Sequence, residues 1–181
     1  AYAISKIKEQ INCPLIADIH FDYKLAIESI NQGIDKIRIN PGNMPIEHLE
    51  TIIMACKNKN IPIRIGVNSG SLSKDIVSKY GISSTALIEE MKREIKIIES
   101  LGYDNLILSI KATDIQMFID ANRQLSKLYT YPIHIGLTES GTLLSGSIRS
   151  SFAIGTLINE GIGDTIRVSL TGNPVNEITS A

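Results

Sequence analysis

The sequence predicts an α/β fold in which six βα units form most of a (β/α)8-type (TIM) barrel. Three observations support this. Short runs rich in β-branched residues alternate with longer amphipathic segments along the 181 residues, and glycine ends several of the helical segments just before a strand. Such alternation is typical of βαβ units and a parallel sheet. No G-x-G-x-x-G motif follows the first strand, which disfavours a dinucleotide-binding sheet.

The strands are predicted from six short apolar runs. Each has five or six residues and is rich in Ile, Val or Leu, a length and composition that favour strand over helix. In chain order the runs are Pro14–Ile19, Lys36–Asn40, Pro62–Val67, Asn105–Ile110, Pro132–Leu137 and Thr165–Leu170.

The helices are predicted from amphipathic segments between these runs. The first repeats apolar residues at positions 23, 26, 27 and 30 and ends at Gly33, which suits a helix C-terminus. The predicted helices are Tyr23–Gln32, Ile46–Lys57, Ser84–Leu101, Asp114–Leu128 and Ser147–Glu160.

Composition limits the possible partners and compartment. With 18 Lys and Arg against 19 Asp and Glu, the net charge of −1 argues against a nucleic-acid-binding protein. No apolar run approaches the roughly 18 residues of a membrane span, and the first ten residues lack the apolar core of a secretory signal. Cys13 and Cys56 form no C-x-x-C pair, so neither a disulfide framework nor a metal site is expected. We therefore expect a cytoplasmic protein without nucleic-acid or membrane partners.

Polar side chains recur on one parity of all six predicted strands. Because a strand has a period of two and barrel strands end at one mouth, these residues are expected to converge there. They are Asp18 and His20, Arg38 and Asn40, Arg64 and Asn68, Ser109 and Lys111, His134, Gly136 and Thr138, and Arg167 and Ser169.

Four of these converging residues are cations: Arg38, Arg64, Lys111 and Arg167. Like charges that share a site repel and lose hydration, so their grouping predicts an anionic ligand. The planar guanidinium matches phosphate oxygens, which favours a phosphate or diphosphate ester.

Three further groups could act on protons at this mouth. Glu139 is the best-placed carboxylate for proton transfer, although a Glu in a βα loop can also serve as a helix cap. Asp18 and His20 are candidates for an acid/base pair or for a clamp on a neighbouring cation.

Several segments resemble one enzyme family. The runs ADIHFDYKLAI, KIRINPGN, PIRIGVNSGSL, LSIKATD, HIGLTESGTLLSGSIRSS and EGIGDTIRVSLTGNP resemble the 4-hydroxy-3-methylbut-2-enyl diphosphate synthases of the non-mevalonate isoprenoid (MEP) pathway, in order and over nearly the whole chain. The resemblance implies an oxidoreductase that opens 2-C-methyl-D-erythritol 2,4-cyclodiphosphate reductively. It also implies a 4Fe-4S cluster, flavodoxin or ferredoxin as electron donor, and a homodimer when full-length.

The resemblance assigns substrate contacts by motif. It implies that the diphosphate is bound by Arg38, Asn40, Arg64, Asn68, Lys111, Thr138, Arg167 and Ser169, with Glu139 near the substrate as a candidate acid. Those residues include all four cations predicted from strand parity.

The resemblance also implies that residues 1–181 are a partial barrel domain. The six units would be the last six of eight, with the first two absent. The family's cluster ligands, three Cys and a Glu of a C-terminal iron–sulfur domain, would be absent too, so this fragment alone is predicted to be inactive. Two alternatives are a pterin-binding barrel like dihydropteroate synthase and a non-catalytic barrel that binds phosphate esters.

Overall fold

The computed structural model describes the backbone of residues 1–181 and every side chain except that at position 43. Strands and helices alternate along the described chain. In order they are α1 (Ile4–Lys8), β1 (Ile16–Asp18), α2 (Tyr23–Asn31), β2 (Lys36–Ile39), α3 (Ile46–Lys59), β3 (Ile63–Asn68), α4 (Lys74–Tyr80), α5 (Ser84–Ser100), β4 (Leu106–Lys111), α6 (Ile115–Leu128), β5 (His134–Ile135), α7 (Leu143–Asn159), β6 (Thr165–Ile166) and α8 (Val175–Ser180).

All six predicted strands and all five predicted helices are confirmed. The main differences are that β1 has three residues, that β5 and β6 have two residues each, and that α7 begins at Leu143, before the predicted Ser147. Helices α1, α4 and α8 lie outside the five predicted segments. Each has only five to seven residues and buries none of them, which is too short to show a repeated apolar period. None of the helices in the described part of the chain combines the length and the apolar composition that a membrane span requires.

The chain divides into two compact units: unit 1 holds residues 1–66 and 93–107, and unit 2 holds residues 67–92 and 108–181. In unit 1, β1 pairs in parallel with β2, and β2 with the first half of β3. The N–H of Ile63 donates to the carbonyl of Asn105 at 3.0 Å, which joins β3 to the segment before β4. The core of this unit includes fully buried Ile30, Ile37, Ile39 and Ile52.

In unit 2, the second half of β4 lies beside β5, which pairs with β6. Leu108 is bridged to Ile133, and His134 and Ile135 are in register with Thr165 and Ile166, all in parallel. The apolar residues that alternate with the predicted polar residues along the strands are buried in both units: Ile37, Ile39, Ile65, Val67, Ile110, Ile135, Leu137 and Val168.

An aspartate just before a strand closes a βα unit in each half of the chain. Asp35 Oδ2 accepts the N–H of Leu15 at 2.7 Å in unit 1, and Asp164 Oδ2 accepts the N–H of Ile133 at 2.7 Å in unit 2. Each aspartate therefore links the start of the strand that it precedes to the start of the strand before it in the chain. The hydrogen bond from Leu15, together with the ammonium of Lys8 at 2.7 Å, holds the pKa of Asp35 below its usual range.

Replacing Asp35 with asparagine is expected to lower the free energy of unfolding by about 0.5 to 1 kcal/mol at pH 7, a small effect because the ion pair is partly exposed. Since the folded-state pKa lies below the unfolded-state value of about 3.9, this stabilisation is complete above that value. It is lost as the pH falls through the folded-state pKa. Urea unfolding at pH 7 and near pH 2 measures the difference, with Asp104→Asn, at an exposed aspartate, as control. An equal loss at both pH values would contradict this origin.

Candidate anion-binding site

Strand register places three charged residues side by side in unit 1. Asp18 of β1 is the Cα partner of Arg38 on β2, and Arg38 is the Cα partner of Arg64 on β3. Registered neighbours in a parallel sheet project from the same face. Asp18, Arg38 and Arg64 are therefore one charged row, as the strand parity predicts.

Arg38 is fixed in this charged row from two sides. Its Nη1 donates to Asp18 Oδ1 at 2.8 Å, and the ring nitrogens of His20 lie 3.2 and 3.4 Å from the same Nη1. On the other side, a Cβ placed on Gly66 would lie 2.9 Å from both Nε and Nη2 of Arg38. Glycine at position 66 thus lets the guanidinium lie close against the β3 backbone.

Asp18 is a carboxylate that its neighbours keep ionised. Partial burial alone would raise the pKa of Asp18, but the hydrogen bond from Arg38 and the electrostatic influence of Arg38, His20 and Arg64 outweigh it, so the pKa is lowered. A carboxylate whose pKa is lowered fits a clamp on Arg38 better than a proton donor.

Lys36 is a further cation that the sequence analysis missed. It lies on β2 two residues before Arg38, and so has the same strand parity, which is the signal that could have revealed it. Burial and the nearby positive charge of Arg64 lower the pKa of Lys36. Unit 1 therefore has a cationic wall consisting of the charged row and Lys36.

The loop after β2 carries Asn40. Asn40 has an extended backbone and directly precedes a single 3-10 turn that starts at Pro41. Its Oδ1 is shielded from solvent and has no hydrogen-bond partner among the described residues.

In unit 2, Asn68 is oriented by its own loop. Its Oδ1 accepts the N–H of Gly70 at 3.1 Å, and its carbonyl accepts the Ser71 hydroxyl at 3.3 Å. Since the amide oxygen is occupied by this cap, the amide NH2 is the end that can donate to a ligand oxygen.

Lys111, Thr138 and Glu139 lie near one another along the unit 2 strands. Lys111 ends β4, and the carbonyl of the next residue, Ala112, accepts the N–H of Thr138 at 3.3 Å. Glu139 is exposed and has a φ of +52°, in the left-handed region that a non-glycine residue rarely adopts.

The loop that carries Glu139 is held at its next two residues. The buried hydroxyls of Ser140 and Ser150 are 3.1 Å apart, and the carbonyl of Gly141 accepts the N–H of Thr171 at 2.8 Å. These contacts maintain the unfavourable backbone conformation at Glu139. Such strain is found most often at functional positions.

The remaining predicted residues lie beyond or within the strands of unit 2. Arg167 and Ser169 follow the end of β6, and the side chain of Arg167 is exposed. The carbonyl of Arg167 would lie 2.3 Å from a Cβ on Gly136, so glycine is required there. Ser109 and His134 are buried, and His134 Nδ1 lies 2.9 Å from the Thr165 hydroxyl.

The cysteines of this chain do not fit an iron–sulfur cluster. Cys13 is exposed, whereas Cys56 is buried in α3, where burial raises the pKa of its thiol to about 12. A 4Fe-4S cluster requires about four ligands, mostly thiolates. No group of three or more His, Cys, Asp or Glu among the described side chains is placed to hold a metal ion.

Comparison with known families decides between the alternatives left open by the geometry. The model of the GcpE TIM-barrel domain matches residues 1–181. The chain belongs to the GcpE TIM-barrel family. Membership confirms both the predicted fold class and the resemblance found in the sequence.

Two curated relatives of this GcpE-family chain have the same name. The 4-hydroxy-3-methylbut-2-en-1-yl diphosphate synthase (flavodoxin) of Clostridium acetobutylicum is 52% identical over 180 residues, which are 98% of this chain and 52% of the relative. That of Brevibacillus brevis is 51% identical over 183 residues, covering 100% of this chain and 51% of the relative. The chain thus spans about half the length of the curated relatives it matches.

Solved structures resemble this GcpE-family chain in fold alone. A dihydropteroate synthetase has a TM-score of 0.65 at 12% identity, covering 99% of this chain and 69% of that structure. A type I 3-dehydroquinate dehydratase from Clostridium difficile has a TM-score of 0.62 at 14% identity, covering 94% and 66%. The similarity to the dihydropteroate synthetase concerns the fold alone, and so it does not support the pterin-binding alternative.

Proposed function

We propose that this chain is the substrate-binding part of a 4-hydroxy-3-methylbut-2-enyl diphosphate synthase, an oxidoreductase of isoprenoid biosynthesis. Its substrate would be 2-C-methyl-D-erythritol 2,4-cyclodiphosphate. The observation that carries this proposal is the cationic wall of unit 1, in a chain about half identical in sequence to enzymes with that name.

The cationic wall supports diphosphate binding in particular. Arg38 and Arg64 offer planar forks that match phosphate oxygens, and the Asp18 clamp fixes the orientation of the Arg38 fork before any ligand arrives. We assign Asn40 to the same role in unit 1. In unit 2 we assign Lys111, Thr138, Arg167, Ser169 and the amide NH2 of Asn68.

The overall reaction consumes two electrons and two protons, opens the cyclic diphosphate and releases one hydroxyl as water. A hydroxide leaves poorly unless it is protonated, so a proton donor near the ring is required. We assign that role to Glu139, because its carboxylate is exposed and its strained backbone is held by the neighbouring Ser140 and Gly141.

The electrons would come from flavodoxin, as the names of the relatives state for those proteins. A 4Fe-4S cluster, when bound, supplies the one-electron chemistry of such a reduction. Since Cys13 and Cys56 do not fit such a cluster, we propose that the cluster ligands lie outside this chain and that this chain alone has no turnover. We also propose that the complete enzyme is a cytoplasmic homodimer.

Titration calorimetry of the 181-residue chain tests the binding half of this proposal. We expect the cyclodiphosphate and inorganic diphosphate to bind, the neutral polyol 2-C-methylerythritol not to bind, and affinity to fall as salt screens the charges. A pterin diphosphate, the ligand class of the alternative barrel, serves as comparison. Equal binding of the neutral polyol, or preference for the pterin, would contradict the proposal.

A further inference from the structure

Helix α5 contains two buried carboxylates that the proposed anion site does not use. Glu90 is 4% exposed and Glu94 is 6% exposed. Burying a carboxylate is costly, and an apolar side chain of similar size would often stabilise a fold better. The residues that these carboxylates contact therefore indicate what they do.

In unit 1, Glu94 holds the loop after β2. Both of its carboxylate oxygens accept the N–H of Gly42, Oε1 at 3.0 Å and Oε2 at 2.8 Å. A Cβ on Gly42 would lie 2.5 Å from Glu94 Oε1, so only glycine allows this approach without displacing the carboxylate. The contact spans 52 positions of sequence, and so it restrains the loop from outside its own βα unit.

The restrained loop is the one that carries Asn40. Gly42 lies two residues after Asn40 and four after Arg38. At its other end the same segment is tied into the sheet, since the carbonyl of Arg38 accepts the N–H of Ile19 at 2.9 Å. Asn40 is therefore fixed between a sheet hydrogen bond on one side and the Glu94 contact on the other.

In unit 2, Glu90 makes a similar contact one helical turn earlier on α5. Its Oε2 accepts the N–H of Ser73 at 2.9 Å and also the hydroxyl of Ser73. Ser73 ends the loop that follows β3 and begins α4. Both buried glutamates of α5 thus accept a backbone N–H from a βα loop that follows a ligand-binding strand.

We propose that Glu94 is a positioning residue for the anion site: acting through Gly42, it holds the loop after β2 so that Asn40 stands in its binding position beside the cationic wall. This role rests on the diphosphate-binding function proposed above. When the loop is already ordered, ligand binding does not carry the entropy cost of ordering it.

The test measures binding of inorganic diphosphate to the 181-residue chain and to four variants. Glu94→Gln and Gly42→Ala disturb the contact from its two ends. Glu99→Gln makes the same charge change at an exposed position of α5. Tyr103→Phe removes a different buried contact of unit 1, the 2.6 Å hydrogen bond from the Tyr103 hydroxyl to the Ile61 carbonyl, and so controls for destabilisation.

We expect Glu94→Gln and Gly42→Ala each to raise the Kd for diphosphate about 10-fold, because the binding groups are misplaced. Glu99→Gln and Tyr103→Phe are expected to stay within about twofold, although Tyr103→Phe lowers the melting temperature. The double variant Gly42→Ala with Glu94→Gln should bind no worse than the weaker single variant, since both changes act on the same contact.

Unchanged affinity in Glu94→Gln would overturn the positioning role while leaving the proposed function intact. The positioning role is also overturned if Tyr103→Phe weakens binding as much as Glu94→Gln does, because loss of stability would then explain both. Failure of the unsubstituted chain to bind diphosphate would instead overturn the proposed function, and the positioning role with it.

Discussion

Replacing Arg38 with alanine is expected to weaken binding of the cyclic diphosphate by about 2 to 5 kcal/mol, because the substitution removes a charged hydrogen-bond donor of the phosphate. The loss leaves Asp18 without the partner that lies 2.8 Å away, and an unbalanced carboxylate then faces the anionic ligand. Titration calorimetry at low ionic strength measures the change in Kd directly.

Two controls separate geometry from net charge in the Arg38 experiment. Arg38→Lys keeps the charge but should rescue poorly, because a point charge cannot replace a planar fork. Arg123→Ala removes a partly exposed arginine of unit 2 that is paired with Glu160, and it should leave affinity nearly unchanged. Near-normal affinity in Arg38→Ala would show that the charged row is not part of the binding site.

Turnover of the complete synthase is expected to fall about 100-fold or more in Glu139→Gln, with the substrate Kd changed only a few-fold. Glutamine is nearly isosteric with glutamate and can occupy the same exposed position, but it cannot deliver a proton to the leaving hydroxyl. Steady-state rates and equilibrium binding, measured on the same preparation, separate the two effects.

Glu160→Gln provides the matched control, because Glu160 is an exposed carboxylate of unit 2 that forms an ion pair with Arg123. It should keep normal turnover. If Glu139→Gln loses binding while its turnover at saturation survives, Glu139 is a clamp on a cation and the proton comes from another group.

The strand parity of the proposed site residues could be predicted from the sequence, because it depends only on local spacing. The alternation in KIRIN and PIRIG predicts which side chains share a face, and the structure places Arg38 and Arg64, which have the same parity, in register. The short strands β5 and β6 were predicted as longer ones, since their apolar alternation continues into residues that are buried but not paired in a ladder.

The contacts that orient the site residues could not be predicted from local sequence. The approach of Arg38 to Gly66 and that of Glu94 to Gly42 join residues 28 and 52 positions apart, and no spacing rule connects such pairs. The left-handed backbone at Glu139 was equally hidden, because the T-E-S-G segment matches an ordinary turn or cap. The sequence thus predicted the strands and the strand parity of the proposed site residues, while long-range contacts determine their orientation.

The backbone conformation at Glu139 makes this position a point of conflict between two kinds of selection. A left-handed φ costs a non-glycine residue about 1 kcal/mol, which glycine would recover. A laboratory evolution scheme that rewards heat resistance alone would therefore favour glycine at position 139, whereas one in which growth depends on turnover by the synthase would keep the glutamate proposed as proton donor.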